Sequence, residues 1–151
     1  MKRFTTAIAS VAASAIAGTA NAEGNLSRLN VQRVEIEMGT NDDGTMFFSP
    51  NHFDFETGQA YAWIMTNTDD IIHEVSIHDM RERIFTRKLE IGDADGNLVA
   101  EIKGDINEVE IGPHQTVEWF FVAVQTAEGI EISCEVPGHA EAGMVGTVTL
   151  H

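Results

Sequence analysis

Short runs in which apolar and polar residues alternate are the feature that most constrains this fold. In the stretch VQRVEIEM, Val34, Ile36 and Met38 occupy alternate positions, and charged residues lie between them. Successive side chains of a strand face opposite sides, so this pattern predicts a strand with one buried face. Comparable runs follow, separated by turn-forming Gly, Asn and Asp residues: MFFSPNHFDFETG, QAYAWIMTN, IIHEVSIH, TVEWFFVAV, IEISC and MVGTVTLH. They predict an all-β fold, a Greek-key β-sandwich of about seven or eight strands.

The stretch from Asp79 to Gly104 is open to two interpretations. MRERIFTRKLEI and LVAEIK either form a hairpin across GDADGN, or the first of them begins as a short helix. The run from Asp93 to Asn97 resembles the start of a calcium loop but lacks the later acidic ligands of such a loop. We therefore interpret this run as a turn.

The N-terminal segment MKRFTTAIASVAASAIAGTANA has the composition of a secretory signal peptide. Lys2 and Arg3 are followed by an uncharged, Ala-rich stretch and by an A-x-A cleavage site that ends at Ala22. We expect residues 1–22 to be removed after Ala22, and residues 23–151 to form one monomeric domain in a bacterial periplasm. The alternative is a short N-terminal helix of the mature domain. We expect no membrane insertion, because no other segment has about 18 consecutive apolar residues.

The chain is strongly acidic, with 24 Asp and Glu against 9 Lys and Arg, and its formal net charge is −15. Nucleic acids and anionic membranes repel such a surface, so we do not expect nucleic acid as a partner. A basic protein partner remains compatible with it. The sequence has one cysteine, Cys134, which cannot form an internal disulfide. This thiol is either buried and inert or held by a metal.

Strand parity brings the cysteine together with three other side chains. Cys134 shares its parity with Ile130 and Ile132, and Met144 shares its parity with Gly146, Val148 and Leu150. His73 shares its parity with Ile71, Val75 and Ile77, which leaves Glu74 and Ser76 pointing away. We therefore expect His73, Cys134 and Met144 at strand ends on the core side, and His139 in the loop EVPGHAEAG. Taken alone, each of these residues is also compatible with a purely structural role. A thiolate, two imidazoles and a thioether together suit copper.

The same segments resemble the cupredoxin family of small blue-copper proteins. The resemblance rests on CEVPGHAEAGMVGTVTL and NTDDIIHEVSI, and it extends to FFSPNHFDFETGQAYAWIMTN and EIGPHQTVEWFF. The spacing around His139 is similar to that of azurin, rusticyanin and periplasmic copper-tolerance members. The resemblance implies a single type 1 copper ion, cycling between Cu(I) and Cu(II), with His73, Cys134, His139 and Met144 as its ligands.

For function, the resemblance implies an electron carrier that docks redox partners, such as a cytochrome, near His139. The alternative is a copper-tolerance protein that binds or sequesters copper. We do not expect an enzyme, since a dinuclear copper site would need a second cysteine where Gly138 stands. Two groups of flanking residues are expected outside the ligand set. The histidines His52, His78, His114 and His151 are expected to be surface or structural residues, and Glu74, Glu135 and Glu141 to be solvated or to offer an alternative oxygen ligand.

Overall fold

The computed structural model describes residues 30–151, so the predicted signal peptide of residues 1–22 lies outside the described residues. Within this range the chain forms eleven strands and one short helix. In chain order the elements are β1 Val31–Thr40, β2 Met46–Ser49, β3 His52–Phe55, β4 Ala60–Asn67, β5 His73–Ser76, α1 His78–Arg81, β6 Ile84–Gly92, β7 Leu98–Ile102, β8 Glu108–Ile111, β9 Thr116–Ala123, β10 Ala127–Ser133 and β11 Val145–Leu150. Over residues 30–151, no helix has the length and apolar content that a membrane crossing requires.

The strands form two sheets, which confirms the predicted all-β sandwich. One sheet has the order β2-β1-β4-β9-β6-β7 and the other the order β3-β11-β10-β5-β8. The chain crosses repeatedly between the sheets, for example from β4 to β5 and back to β6. Such crossings are what Greek-key connections require, because neighbours in sequence then belong to different layers.

The described residues contain more strands than the seven or eight predicted, for two reasons. MFFSPNHFDF reads as one extended stretch, but it divides at Ser49-Pro50 into β2 and β3, which belong to different sheets. The four-residue strand β8 lies in a segment rich in Asp, Asn and Gly, where the alternation is too short to stand out. Both differences concern short strands, whose pairing is fixed by the rest of the sandwich rather than by local sequence.

Aromatic residues fill the space between the sheets next to β4, the strand that the sequence predicts to be central. β4 pairs in parallel with β1 and antiparallel with β9. The ring of Phe55 packs edge-on against Tyr61 and Phe121, with centroids 4.7 and 5.0 Å apart. Such buried rings contribute large apolar areas and geometrically specific contacts. This core gives the strands that lead into the candidate site a rigid base.

Both interpretations of the segment from Asp79 to Gly104 hold in part. The short helix α1 precedes β6, and β6 and β7 form a hairpin in which Gly92 pairs with Leu98. The connection is the predicted turn, since the Asp93 carboxylate accepts the main-chain N–H groups of Asp95 and Asn97. Asp93 thus satisfies the turn's own backbone donors, in keeping with the role of Asp in such turns.

Candidate metal centre

Three buried side chains converge where β5 begins and where the connection from β10 to β11 turns back. His73 is the first residue of β5, Cys134 directly follows β10, and His139 lies in the connection. The Nδ1 atom of His139 is 3.2 Å from Nδ1 of His73 and 3.3 Å from Sγ of Cys134. The three donor atoms all lie within 4.8 Å of one another. They therefore face a common point that one metal ion can occupy.

The connection between β10 and β11 holds its shape through main-chain hydrogen bonds. His139 donates to the carbonyl of Val136, and Met144 donates to the carbonyl of His139, each at 3.0 Å. Cys134 donates to the carbonyl of Met144 at 3.1 Å, which closes the loop at its base. Gly138 has a φ of 89°, a conformation that a residue with a Cβ adopts only with strain. The tight turn brings His139 back over Cys134.

Met144 lies at the base of this loop, as the parity of β11 predicts. Its side chain is fully buried and belongs to the same apolar cluster as Cys134 and Ile132. Its main chain bonds to both Cys134 and His139. The structure therefore brings Met144 next to two of the three converging residues, and its role as a fourth ligand stays a prediction.

The Cys134 thiol is enclosed and receives a main-chain hydrogen bond. Burial raises the pKa of Cys134, and hydrogen bonds from the N–H groups of Glu74 and Val136 oppose this effect only in part. The N–H of Glu74 lies 3.3 Å from Sγ. The thiol is therefore protonated without a metal, whereas a bound cation deprotonates a coordinating thiol. The donated N–H group can stabilise the resulting thiolate.

The two imidazoles differ in their access to solvent. His73 is fully buried, whereas His139 retains 9% exposure, so His139 lies nearer the surface as the sequence predicts. Burial, together with the neighbouring His73, lowers the pKa of His139. A neutral imidazole with a free lone pair is the form that binds a metal. The site thus keeps His139 in its metal-binding state at neutral pH.

A carboxylate that sequence reasoning missed holds the far side of His73. Oδ2 of Asp69 lies 2.8 Å from Nε2 of His73, and the Thr40 hydroxyl donates to the same oxygen at 2.6 Å. Burial works against the charge of Asp69, but the hydrogen bonds from Thr40 and His73 outweigh it, and the pKa of Asp69 is lowered. The available signal was its position four residues before His73, which by itself does not indicate contact in a loop.

Asn67, which the sequence singles out only for its position before His73, shapes this loop. Its Nδ2 donates to the carbonyls of Ile71, Ile111 and Gly112 at 2.7 to 3.1 Å, and its Oδ1 accepts the main-chain N–H of Asp69. The Asn67 side chain is fully buried. It thus links the end of β4, the loop to His73 and the end of β8 at one point.

Parity fails at two positions near His73. Ile71 is 44% exposed, because β5 begins only at His73 and alternation does not extend beyond a strand's end. Ser76, expected to point away, is fully buried at the junction with α1, where its hydroxyl lies 3.0 Å from Nε2 of His78. Glu74, expected to be solvated, is half-buried. Its pKa is raised, first by burial and then by the acidic neighbours Glu108, Glu135 and Glu110.

The remaining histidines lie outside the converging cluster, as the sequence predicts. The side chains of His52, His114 and His151 are mostly exposed, and they pair with Asp54 or Asp70. His78 pairs with the carboxylate of Glu135, also at the surface. Glu135 and Glu141 are both exposed, in agreement with the prediction.

Comparison with known proteins agrees with this donor set. The chain is 30% identical over 97 residues to the copper-resistant cuproprotein CopI of Vibrio cholerae, a match that covers 63% of this chain and spans about half, 53%, of that protein. It is 25% identical over 133 residues to the copper-resistant cuproprotein CopI of Pseudomonas aeruginosa, covering 71% of this chain and 72% of that one.

The fold also matches a solved structure. Auracyanin B superposes with a TM-score of 0.50 at 16% identity, over 80% of this chain and 88% of that chain. This likeness concerns the fold alone.

The buried thiol and the two imidazole nitrogens that meet at one point fit copper, which accepts both donor types. Residues 34–151 match the family described as copper binding proteins, plastocyanin/azurin family. That match includes all of the residues that converge here. The chain therefore belongs to the plastocyanin/azurin family of copper-binding proteins.

Proposed function

We propose that this protein holds one copper ion in a type 1 site formed by His73, Cys134, His139 and Met144, and that it exchanges single electrons with other proteins. The observation that carries this proposal is the convergence of two Nδ1 atoms and one Sγ atom within 4.8 Å, all from buried residues. Two histidines, one cysteine and a weak axial methionine form the usual donor set of blue-copper electron-transfer sites. We propose a carrier rather than an enzyme.

The residues around the site hold the donors in place before any metal arrives. Hydrogen bonds within the loop position His139 and Met144, and the Glu74 N–H group positions the Cys134 sulfur. A bound copper ion would supply a one-electron couple between Cu(I) and Cu(II). Donors that are fixed by the fold move little when the charge of the metal changes. A rigid site therefore supports fast electron exchange, because little reorganisation accompanies it.

We propose that partners dock over His139. This ring is the more exposed of the two imidazoles, and Pro137, Gly138 and Gly143 around it are exposed small residues. Small side chains allow close approach to the ring. The acidic character of the whole chain favours a basic partner, such as a cytochrome, through electrostatic steering. We place this exchange in the periplasm, in keeping with the predicted export signal.

A second candidate function is copper tolerance, in which the protein binds or sequesters excess copper. The observation that favours it is the pair of relatives from Vibrio cholerae and Pseudomonas aeruginosa, both described as copper-resistant cuproproteins. The same donor set would serve this role. The two functions therefore differ in the consequence of binding rather than in the site.

Titration of the purified, exported protein with Cu(II) tests the site. We expect one equivalent to bind and an intense thiolate-to-copper absorption band to appear, because Cys134 supplies the sulfur. Cys134→Ser should remove the band while the fold is retained, as judged by circular dichroism. A strong visible band that survives in Cys134→Ser would contradict the proposed site.

Deletion of the gene from its source organism separates the two roles. If the protein carries electrons, the deletion slows a respiratory pathway at ordinary copper levels. If it serves tolerance, growth fails only as copper is raised. Complementation with wild type should restore growth in either case, and complementation with Cys134→Ser should not. Full rescue by Cys134→Ser would show that neither role depends on this site.

A further inference from the structure

We propose that Asp69 is a positioning residue for the copper site. Its carboxylate fixes His73 in the tautomer that presents Nδ1 to the metal, and its charge favours Cu(II) over Cu(I). This inference rests on the proposed function, and it adds a determinant of the reduction potential outside the four proposed ligands.

The first step is the tautomer of His73. A neutral imidazole carries one N–H group, and its other nitrogen offers a lone pair. An ionised carboxylate only accepts hydrogen bonds, so Asp69 Oδ2, 2.8 Å from Nε2, selects the form with the proton on Nε2. Nδ1 is then free to face Cys134 and His139. Because His73 is fully buried, water does not compete for either nitrogen.

The second step is the fixed position of the carboxylate itself. The Thr40 hydroxyl donates to Oδ2 at 2.6 Å, and the Asp69 main-chain N–H donates to Oδ1 of Asn67 at 2.9 Å. Asn67 is in turn tied to three backbone carbonyls. The Asp69 side chain is only 18% exposed. The contact with His73 is therefore part of the folded framework rather than a mobile surface pair.

The third step concerns charge. A carboxylate that accepts from a metal-binding imidazole raises the basicity of that ligand, and such partners typically change metal affinity by about 10- to 100-fold. A negative charge close to a partly buried metal is weakly screened and stabilises the more highly charged ion. Asp69 should therefore stabilise Cu(II) more than Cu(I) and lower the reduction potential.

The test compares Asp69→Asn with Asp70→Asn in the copper-loaded protein. Both variants remove one negative charge at adjacent positions, but Asp70 is 96% exposed and pairs with His114 at the surface. For Asp69→Asn we expect the ratio of Cu(II) to Cu(I) affinity to fall about tenfold, which raises the potential by about 59 mV for one electron. Asp70→Asn should stay close to wild type. Equal shifts in the two variants would overturn the proposal.

A second measurement needs no copper. In the metal-free protein, nitrogen NMR of His73 should show the proton on Nε2, and Asp69→Asn should give a mixture, because an amide both donates and accepts. A wild-type His73 that carries its proton on Nδ1 would refute the role of Asp69. Failure of wild type to bind copper would instead refute the proposed function and leave this tautomer test valid.

A milder variant guards against loss of folding in Asp69→Asn. Thr40→Val keeps the carboxylate but removes the hydroxyl that holds it. The potential should move in the same direction by a smaller amount. A potential unchanged from wild type in Thr40→Val, together with an unfolded Asp69→Asn, would also count against the proposal.

Discussion

The Nδ1 atoms of His73 and His139 lie 3.2 Å apart, although 66 residues separate the two histidines in the sequence. Both nitrogens point into the same buried space, where protonation of both rings would place two positive charges side by side. Burial and the neighbouring His73 accordingly lower the pKa of His139 from its ordinary value of 6.5. The metal-free protein therefore favours neutral rings, and this preference is linked to its stability.

We predict that the metal-free protein loses stability as the pH falls below about 6.5. In that range the unfolded chain binds a proton at His139 more readily than the folded chain does, so the free energy of unfolding decreases on acidification. Urea denaturation at a series of pH values measures this slope. His139→Gln should flatten it, whereas His114→Gln, which changes an exposed histidine, should not. A slope as steep in His139→Gln as in wild type would contradict the prediction.

Met144→Leu should raise the reduction potential while it preserves the fold. Leucine has a similar volume and is apolar, so the loss of stability should stay below about 1.5 kcal/mol. It offers no donor and makes the site more apolar, and both changes disfavour the more highly charged Cu(II). Voltammetry of the copper-loaded variant measures the shift. Met65→Leu, which alters another fully buried methionine, is the control. Equal potentials in the two variants would argue against Met144 as a ligand.

Asn67→Ala should destabilise the metal-free protein by about 2–4 kcal/mol, because three backbone carbonyls and one N–H group lose their partner. Asn97→Ala removes an asparagine from an exposed turn and should cost less than about 1 kcal/mol. Chemical denaturation of both variants gives the comparison. A loss for Asn67→Ala no greater than that for Asn97→Ala would show that Asn67 does not fix the loop before His73.

Gly146→Ala tests the close packing of β11 beside the site. A Cβ at Gly146 would lie 2.7 Å from the carbonyl oxygen of Asn51, which is backbone and cannot move aside easily. We expect a loss of about 1–3 kcal/mol, the usual range for overpacking. At Gly92 an added Cβ meets its nearest atom at 3.7 Å, so Gly92→Ala should be close to neutral. A thermal melt that ranks the two variants in the opposite order would refute this account.

Much of the fold and of the candidate site follows from alternation in the sequence. Parity placed Cys134, Met144 and His73 on the buried side, and all three are fully buried. These residues lie within or next to strands, where the period of two is fixed by backbone geometry. The short β8 and the division between β2 and β3 were missed, since four-residue strands carry too few alternations to be recognised.

The contacts around His73 were harder to predict. Ile71 precedes β5, and Ser76 lies where β5 meets α1, so neither follows the alternation of the strand. Asp69 reaches His73 through a loop whose path is set by Asn67 and by the ends of β4 and β8. Such contacts depend on how distant segments pack together, which a local pattern does not contain.

The pairing of β5 with β10 has a consequence for the order of events during folding. These two strands are registered at one pair of residues, Ser133 with Ser76, while β11 lies on the other side of β10 and also pairs with β3. His73 therefore meets Cys134 and His139 only once distant segments have assembled, and contacts of this kind form slowly. A partly folded chain carries the thiol without its imidazoles. Tight capture of copper thus reports that the sandwich has closed.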